Sequence, residues 1–149
     1  MATGEFRGVQ AYYNILNPSA GRPVPPGFSA PDHGNVIAHA RENGLGVLNI
    51  RVLAAGSVVG TVPHQEPYGT TSEADLKRGA KVREVLEDEA GNMVQTGIRY
   101  VLMNAGVSAA EIGFAKLEYI DEAVAVVDMG PLPDSVMRAL NALYESDFA

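Results

Sequence analysis

The chain predicts an α/β fold in which parallel strands lie between helices. Three observations carry this expectation. The stretch from Leu45 to Gly56 is apolar and β-branched with no alternation, entered from Asn43-Gly44 and left through Ala54-Ala55-Gly56. A run that is apolar on both faces suits a strand covered on both sides in a parallel sheet. β-favouring segments alternate with segments of helical periodicity, and a helix between successive strands implies parallel pairing with right-handed crossovers. The length of 149 residues and the 46% apolar content suffice for one ordinary core, so a single domain over residues 1–149 is expected.

The first strand is read from Val9 to Leu16, where β-favouring residues run up to Asn17-Pro18. Ser19 to Pro31 holds Pro23, Pro25, Pro26 and Pro31 with Gly21 and Gly27, which marks a loop. Asp32 is placed to cap a helix through Val36, Ile37 and Ala40 to Glu42, ended by Asn43-Gly44. A second loop runs from Gly56 to Thr71. Ser72 with Asp75 reads as a capping box, followed by an apolar face of Leu76, Ala80, Val82, Val85 and Leu86. Gly91 ends that helix and Asn92 caps the next, with Val94, Ile98, Val101 and Leu102 as its buried stripe. Ala109 to Phe114 reads as the third strand. Leu117 to Val127 reads as a helix with Ile120, Val124 and Val127 inward. Gly130-Pro131 ends it, and Pro133 opens a final helix facing inward through Val136, Leu140 and Leu143.

The net charge of -7 argues against a nucleic-acid surface, which needs a basic stripe, and against an anionic membrane. No apolar run reaches the ~20 residues that span a bilayer, and the first residues have no signal-like core. With no cysteine there is no disulfide, thiolate metal site or cysteine nucleophile. A cytoplasmic location is the expectation that fits.

Several phrases together resemble the aldo-keto reductase family: Gln10-Ala-Tyr-Tyr-Asn-Ile-Leu-Asn-Pro18, Arg51-Val-Leu-Ala-Ala-Gly56, Ile98-Arg-Tyr-Val-Leu102, Ile112-Gly-Phe114 and Leu143-Tyr144. The resemblance runs over nearly the whole chain. It implies a partial (β/α)8 TIM-type barrel, with the three strands matching strands six to eight of that family and a carboxyl-terminal helix. The family reduces carbonyls with NAD(P)H. Its catalytic Asp, Tyr, Lys and His belong to earlier strands and have no counterparts here, so no catalytic residue is assigned. What the resemblance carries over is part of a nicotinamide-cofactor site. Gln10 matches the glutamine that bonds the carboxamide. Arg51 stands where many members stack an aromatic on the nicotinamide, and a guanidinium also stacks on a π-face. Gly113 and Glu122 fit the adenosine end, with Lys116 as the nearby cation. Tyr119 and Ala123 stand where the family has Gln and Asn. NADP(H) is therefore a cofactor by resemblance only, with weak affinity expected, because a 2'-phosphate needs a cation or a cluster of donors.

Each of these residues has a plainer reading. Arg51 is otherwise a barrel-mouth residue paired with a carboxylate, and Gln10 a polar residue satisfied at the sheet mouth. Tyr12 and Tyr13 are adjacent in a strand and point to opposite faces, one to the core and one to the mouth. His33, His64 and Glu66 form an alternative set, because two histidines and a carboxylate can hold a divalent metal such as zinc. On that reading the chain is a hydrolase of esters or phosphoesters using metal-bound water. The plain reading is scattered surface histidines. Glu84, Glu87, Asp88 and Glu89 read as a solvated helix face, and Ser57 lies in no nucleophile elbow.

Three parallel strands cannot close a barrel, and the piece has two open edges and one uncovered face. Val47, Ile50, Val52 and Ile112 are not all expected to be covered by the chain's own helices. A homo-oligomer, a dimer through the open sheet, is the first expectation, with a small-molecule site at the strand ends. A non-catalytic module completed by a partner chain is another.

Overall fold

The computed structural model describes residues 4–62, 71–86, 92–114 and 116–149. Three strands, β1 (Gly8–Tyr12), β2 (Gly46–Ile50) and β3 (Ala109–Ala110), form one parallel sheet in the order β1-β2-β3. The helices are α1 (Val36–Glu42), α2 (Ser72–Leu86), α3 (Met93–Leu102), α4 (Glu118–Val124) and α5 (Asp134–Glu145). A tight helical turn follows β2 at Ala54–Val59, and another extends α4 through Ala125–Asp128. No described helix is long and apolar enough to cross a membrane.

The register pairs Val9 with Val47 and Ala11 with Asn49. Strand alternation puts these residues on the face that meets the helices, and Ala11, Val47 and Asn49 are buried. Ile37 and Ala40 of α1 and Ile98 and Val101 of α3 complete that core. On the opposite face Gln10 is exposed, and Tyr12, Leu48 and Ile50 are half-buried. A shallow groove of about 390 Å³ runs over it between Gln10, Leu48 and Ala109. Val47 and Val52 are thus covered by the chain's own helices, while Ile50 and Ile112 are only half covered.

The strands are shorter than the apolar runs predict. β1 stops at Tyr12 because the Asn14 side chain redirects the backbone. Its Oδ1 accepts from the N–H groups of Leu16 and Asn17 at 2.9 and 3.0 Å. Those donors are lost to a ladder, as Asn side chains commonly arrange. Ile15 and Leu16 remain buried, but in a loop. β3 ends at Ala110, and the Glu111 N–H still reaches the Asn49 carbonyl at 2.8 Å.

Helix ends correct several expectations. Asp32 does not cap α1: its Oδ1 accepts from Gly34 N–H in the preceding turn, and Asn35 starts the helix at φ 50. Ser72 is the first helical residue of α2 and not its cap, and the neighbouring Thr71 hydroxyl accepts from Ala74 N–H at 3.1 Å. Asn92 caps α3 as expected, accepting from Val94 and Gln95. Gly44, at φ 67, closes α1 as expected.

Helix faces differ more. α2 buries Asp75, Arg78 and Gly79 beside Val82 and Leu86, while Val85 is 47% exposed. Gly79 explains the rotation, since a Cβ there would collide with the Ser57 carbonyl. Only a glycine lets the helix approach that turn. In α3 Ile98 and Val101 are buried, but Leu102 faces out. In α4 the expectation is inverted: Ala123 and Val126 face inward, and Ile120, Val124 and Val127 face solvent. α5 buries Val136, Leu140 and Leu143 as its periodicity predicts.

The carboxyl-terminal residues are held by a buried arginine. Arg78 donates to Ser29 Oγ at 2.7 Å and to Asp147 Oδ1 at 3.3 Å. Its guanidinium also lies 5.4 Å from the Phe28 ring and 5.6 Å from the Phe148 ring. Burial alone would raise the Asp147 carboxyl, but hydrogen bonds from Ser29 and the Arg78 charge outweigh it and hold it below 3.8. A carboxyl depressed in the folded state contributes stability above its unfolded value, lost as pH falls through the folded value. Asp147→Asn should therefore cost about 1 kcal/mol at neutral pH. That difference should close as pH falls below 3.8. Urea unfolding at stepped pH checks it, and a gap independent of pH would contradict the assignment.

Candidate ligand cleft at the strand ends

The carboxyl ends of the three strands open into a cleft of about 810 Å³. Gln10 of β1 enters from one side. Arg51, directly after β2, and Gly113 and Phe114, after β3, line the middle. Tyr119 and Glu122 of α4 and Val94 of α3 close the far end. In parallel α/β architectures ligands occupy this end of the sheet.

The segment that forms the wall is strained. Arg51, Ala54 and Ala55 have φ of 60, 48 and 54, in the left-handed region that disfavours side chains. Such residues cost about 1 kcal/mol or more each and persist where their surroundings over-determine them. The surroundings here are specific. Asn14 Nδ2 donates to the Arg51 carbonyl at 2.9 Å, and Ala54 N–H reaches the same carbonyl at 2.9 Å. Downstream, Arg83 donates to the carbonyls of Ser57 and Val58 at 3.0 and 2.9 Å. Gly97 of α3 lies so close to Leu53 that a Cβ would sit 2.9 Å from its Cδ2. The turn is thus clamped by Asn14 just past β1, by α2 and by α3.

Charge in the cleft is mixed. Arg51 is the cation of its described lining, which also holds Glu111 and Glu122. No described carboxylate is within ion-pair distance of Arg51, so the expected carboxylate partner is not found among the described residues. Glu122 is held by Asn92 Nδ2, and Gln95 Nε2 reaches the Glu122 carbonyl at 3.3 Å. Gln10, Arg51, Gly113 and Glu122 are therefore brought together. Lys116 is not: it is outside the cleft lining, 5.9 Å from the Tyr119 ring centroid.

One tyrosine packs in the core as expected: Tyr13 is buried against Tyr100 at 5.5 Å. Tyr12 is half-buried against His33 at 5.1 Å and does not line the cleft. Burial, then the Asp75 charge, pushes the Tyr12 hydroxyl up. Burial lowers His33, with Asp32 partly opposing. His33 Nε2 is buried without a hydrogen-bond partner among the described residues. His64 and Glu66, its proposed co-ligands, lie outside the described residues, as do Glu87, Asp88 and Glu89. Among the described residues no group of three or more His, Asp or Glu could hold a metal.

Sequence reading missed Glu111, Phe114 and the wall at Leu53, Ala55 and Val59. Glu111 could have been found as the first residue past the strand end. The wall could not, because alanine gives no sign of left-handed backbone.

The sequence model of the aldo/keto reductase family matches residues 8–145. No curated protein matches the chain. Among solved structures it is similar to the aldo-keto reductase AKR11C1 of Bacillus halodurans in its apo form, at 15% identity and TM-score 0.67, over 99% of this chain and 48% of that one. The holo form gives 15% and 0.67, over 99% and 47%. The chain spans about half the length of these structures and shares their fold over that half. Its three strands with their helices are a partial barrel of that type.

Asn14 should be the residue on which the cleft wall depends most. Asn14→Ala leaves buried donors at Leu16 and Asn17 unsatisfied and frees the Arg51 carbonyl from Nδ2, at a cost of about 3 kcal/mol. Urea unfolding checks this. A loss under about 1 kcal/mol would show that the turn holds without it.

Proposed function

Because the chain belongs to the aldo/keto reductase family, we propose that it is a ligand-binding partial barrel that takes the nicotinamide end of a dinucleotide and has no reductase turnover of its own. The observation that carries this reading is the convergence of Gln10, Arg51, Gly113 and Glu122 on one cleft at the strand ends. The nicotinamide end fits. The exposed Gln10 amide can bond a carboxamide through both its oxygen and its nitrogen. The Arg51 guanidinium can lie against the ring. The bound group would supply a hydride; this chain's residues would position it and exclude solvent from one side.

The phosphate end fits poorly. Lys116 does not line the cleft, and Tyr119 and Ala123 stand where the family has Gln and Asn, so the donors that a 2'-phosphate needs are few. Carbonyl reduction also needs a positioned proton donor, and the family's donor and its tuning residues have no counterpart in this sequence. The open sheet face, with Gln10 exposed and Leu48 and Ile50 half-buried, supports self-association. Two-fold pairing is the commonest way to cover such a face.

NADPH should bind weaker than micromolar and no tighter than NADH. Arg51→Ala should weaken whichever nucleotide binds. Calorimetry with both nucleotides decides it, and micromolar NADPH affinity or an inert Arg51→Ala would contradict the reading. An activated aldehyde should not be reduced above the buffer rate.

Self-association has its own test. The interface should bury more than about 1,000 Å² and be core-like, so dilution should bring loss of structure along with dissociation. Sedimentation at low micromolar concentration checks it. A compact single-chain species that melts cooperatively would rule it out.

A further inference from the structure

The inversion of α4 leaves an ordered apolar seam in solvent. Leu117, Ile120, Val124 and Val127 are 78%, 39%, 62% and 76% exposed. Their spacing of three, four and three residues is that of the seam along which one helix packs on another. The residues turned inward are Ala123 and Val126, two against the four in solvent. A surface helix ordinarily buries its more apolar stripe, so this seam is the face that a partner would cover. Its residues differ from those of the open sheet face.

We propose that this seam docks an amphipathic helix of a partner chain whose own apolar seam is flanked by lysine or arginine. The charges beside the seam select that occupant. Asp121 and Asp128 follow Ile120 and Val127 directly, seven residues apart, and so mark one flank, with Glu118 also on the helix. Neither Asp121 nor Asp128 has a cation within ion-pair distance among the described residues. Flanking positions set partner choice in helix pairs by charge. A second copy would pair antiparallel about a two-fold axis. Asp121 would then face Asp128 of the copy, and like charges so placed oppose the contact. A basic flank turns both aspartates into attractive contacts. The net charge of -7 favours the same class of partner at longer range.

The test titrates the intact chain with two synthetic helical peptides that share one leucine seam. One carries lysine at the flanking positions and the other glutamate. The lysine peptide should bind in the micromolar range, at least about tenfold tighter than the glutamate peptide, and should weaken as salt is raised. The double variant Val124→Glu/Val127→Glu changes only exposed side chains. It should lose the binding while keeping its urea midpoint and its nucleotide titration, which separates this inference from the reading of the cleft. Asp121→Lys/Asp128→Lys should reverse the preference between the peptides. Failure of both peptides to bind, equal binding of both, or binding that survives Val124→Glu/Val127→Glu would overturn the proposal. So would a dimer that dissociates on that double substitution, because the seam would then belong to a second copy.

Discussion

The Asn14 side chain is the interaction on which the architecture of the cleft rests. It is fully buried and uses both ends of its amide. The oxygen stops β1 by taking two backbone donors, and the nitrogen fixes the carbonyl of Arg51 across the strand ends. A buried amide must satisfy its groups or destabilise the fold. Here that requirement ties the end of one strand to the turn after the next. Asn49 makes such a tie with one end only, donating to the Tyr13 carbonyl at 3.0 Å while its buried Oδ1 has no hydrogen-bond partner among the described residues. The strand ends are thus joined by side chains where the ladder has already stopped.

Turn geometry at Arg51, Ala54 and Ala55 follows from that clamp. Three residues with side chains in left-handed backbone would not hold this shape in isolation. Asn14, Arg83 and the close approach of Gly97 hold it from three directions. Strained backbone at a cleft is common where a site must be preorganised, although Asn35, Asp147 and Phe148 also have positive φ away from it. The loop from Ser19 to Pro31 is stabilised differently. Asn17 and Ser19 hydrogen-bond with each other and with the Pro31 carbonyl, which closes the proline-rich segment on itself.

The three strands and their parallel pairing were legible, because apolar runs separated by helical periods leave few topologies; that β3 and not β2 forms the second edge came from the structure. The cap at Asn92, the stop at Gly44 and the face of α5 were legible for equally local reasons. What failed was what depends on distant neighbours. The strand at Val9 was read four residues too long because the hydrogen bonds of Asn14 do not register in a propensity pattern. α2 was rotated because the approach allowed by Gly79 outweighs the apolar count on the other face. α4 was read inward because periodicity shows that a stripe exists but not which side of the helix the rest of the chain occupies. In the cleft, Gln10, Arg51, Gly113 and Glu122 were placed by resemblance. Lys116 was placed by the same resemblance and does not line the cleft, its Nζ lying 5.9 Å from the Tyr119 ring.

Asn92 occupies two places at once. Its Oδ1 begins α3, while its Nδ2 holds the carboxylate of Glu122 at the far end of the cleft. Any occupant that competes for that carboxylate pulls on the residue that starts a helix. Occupancy of the cleft and fraying of the first turn of α3 therefore share one free-energy cycle. Amide exchange at Val94 and Gln95, whose N–H groups are bonded to Asn92 Oδ1, becomes a reporter of events at the Glu122 carboxylate.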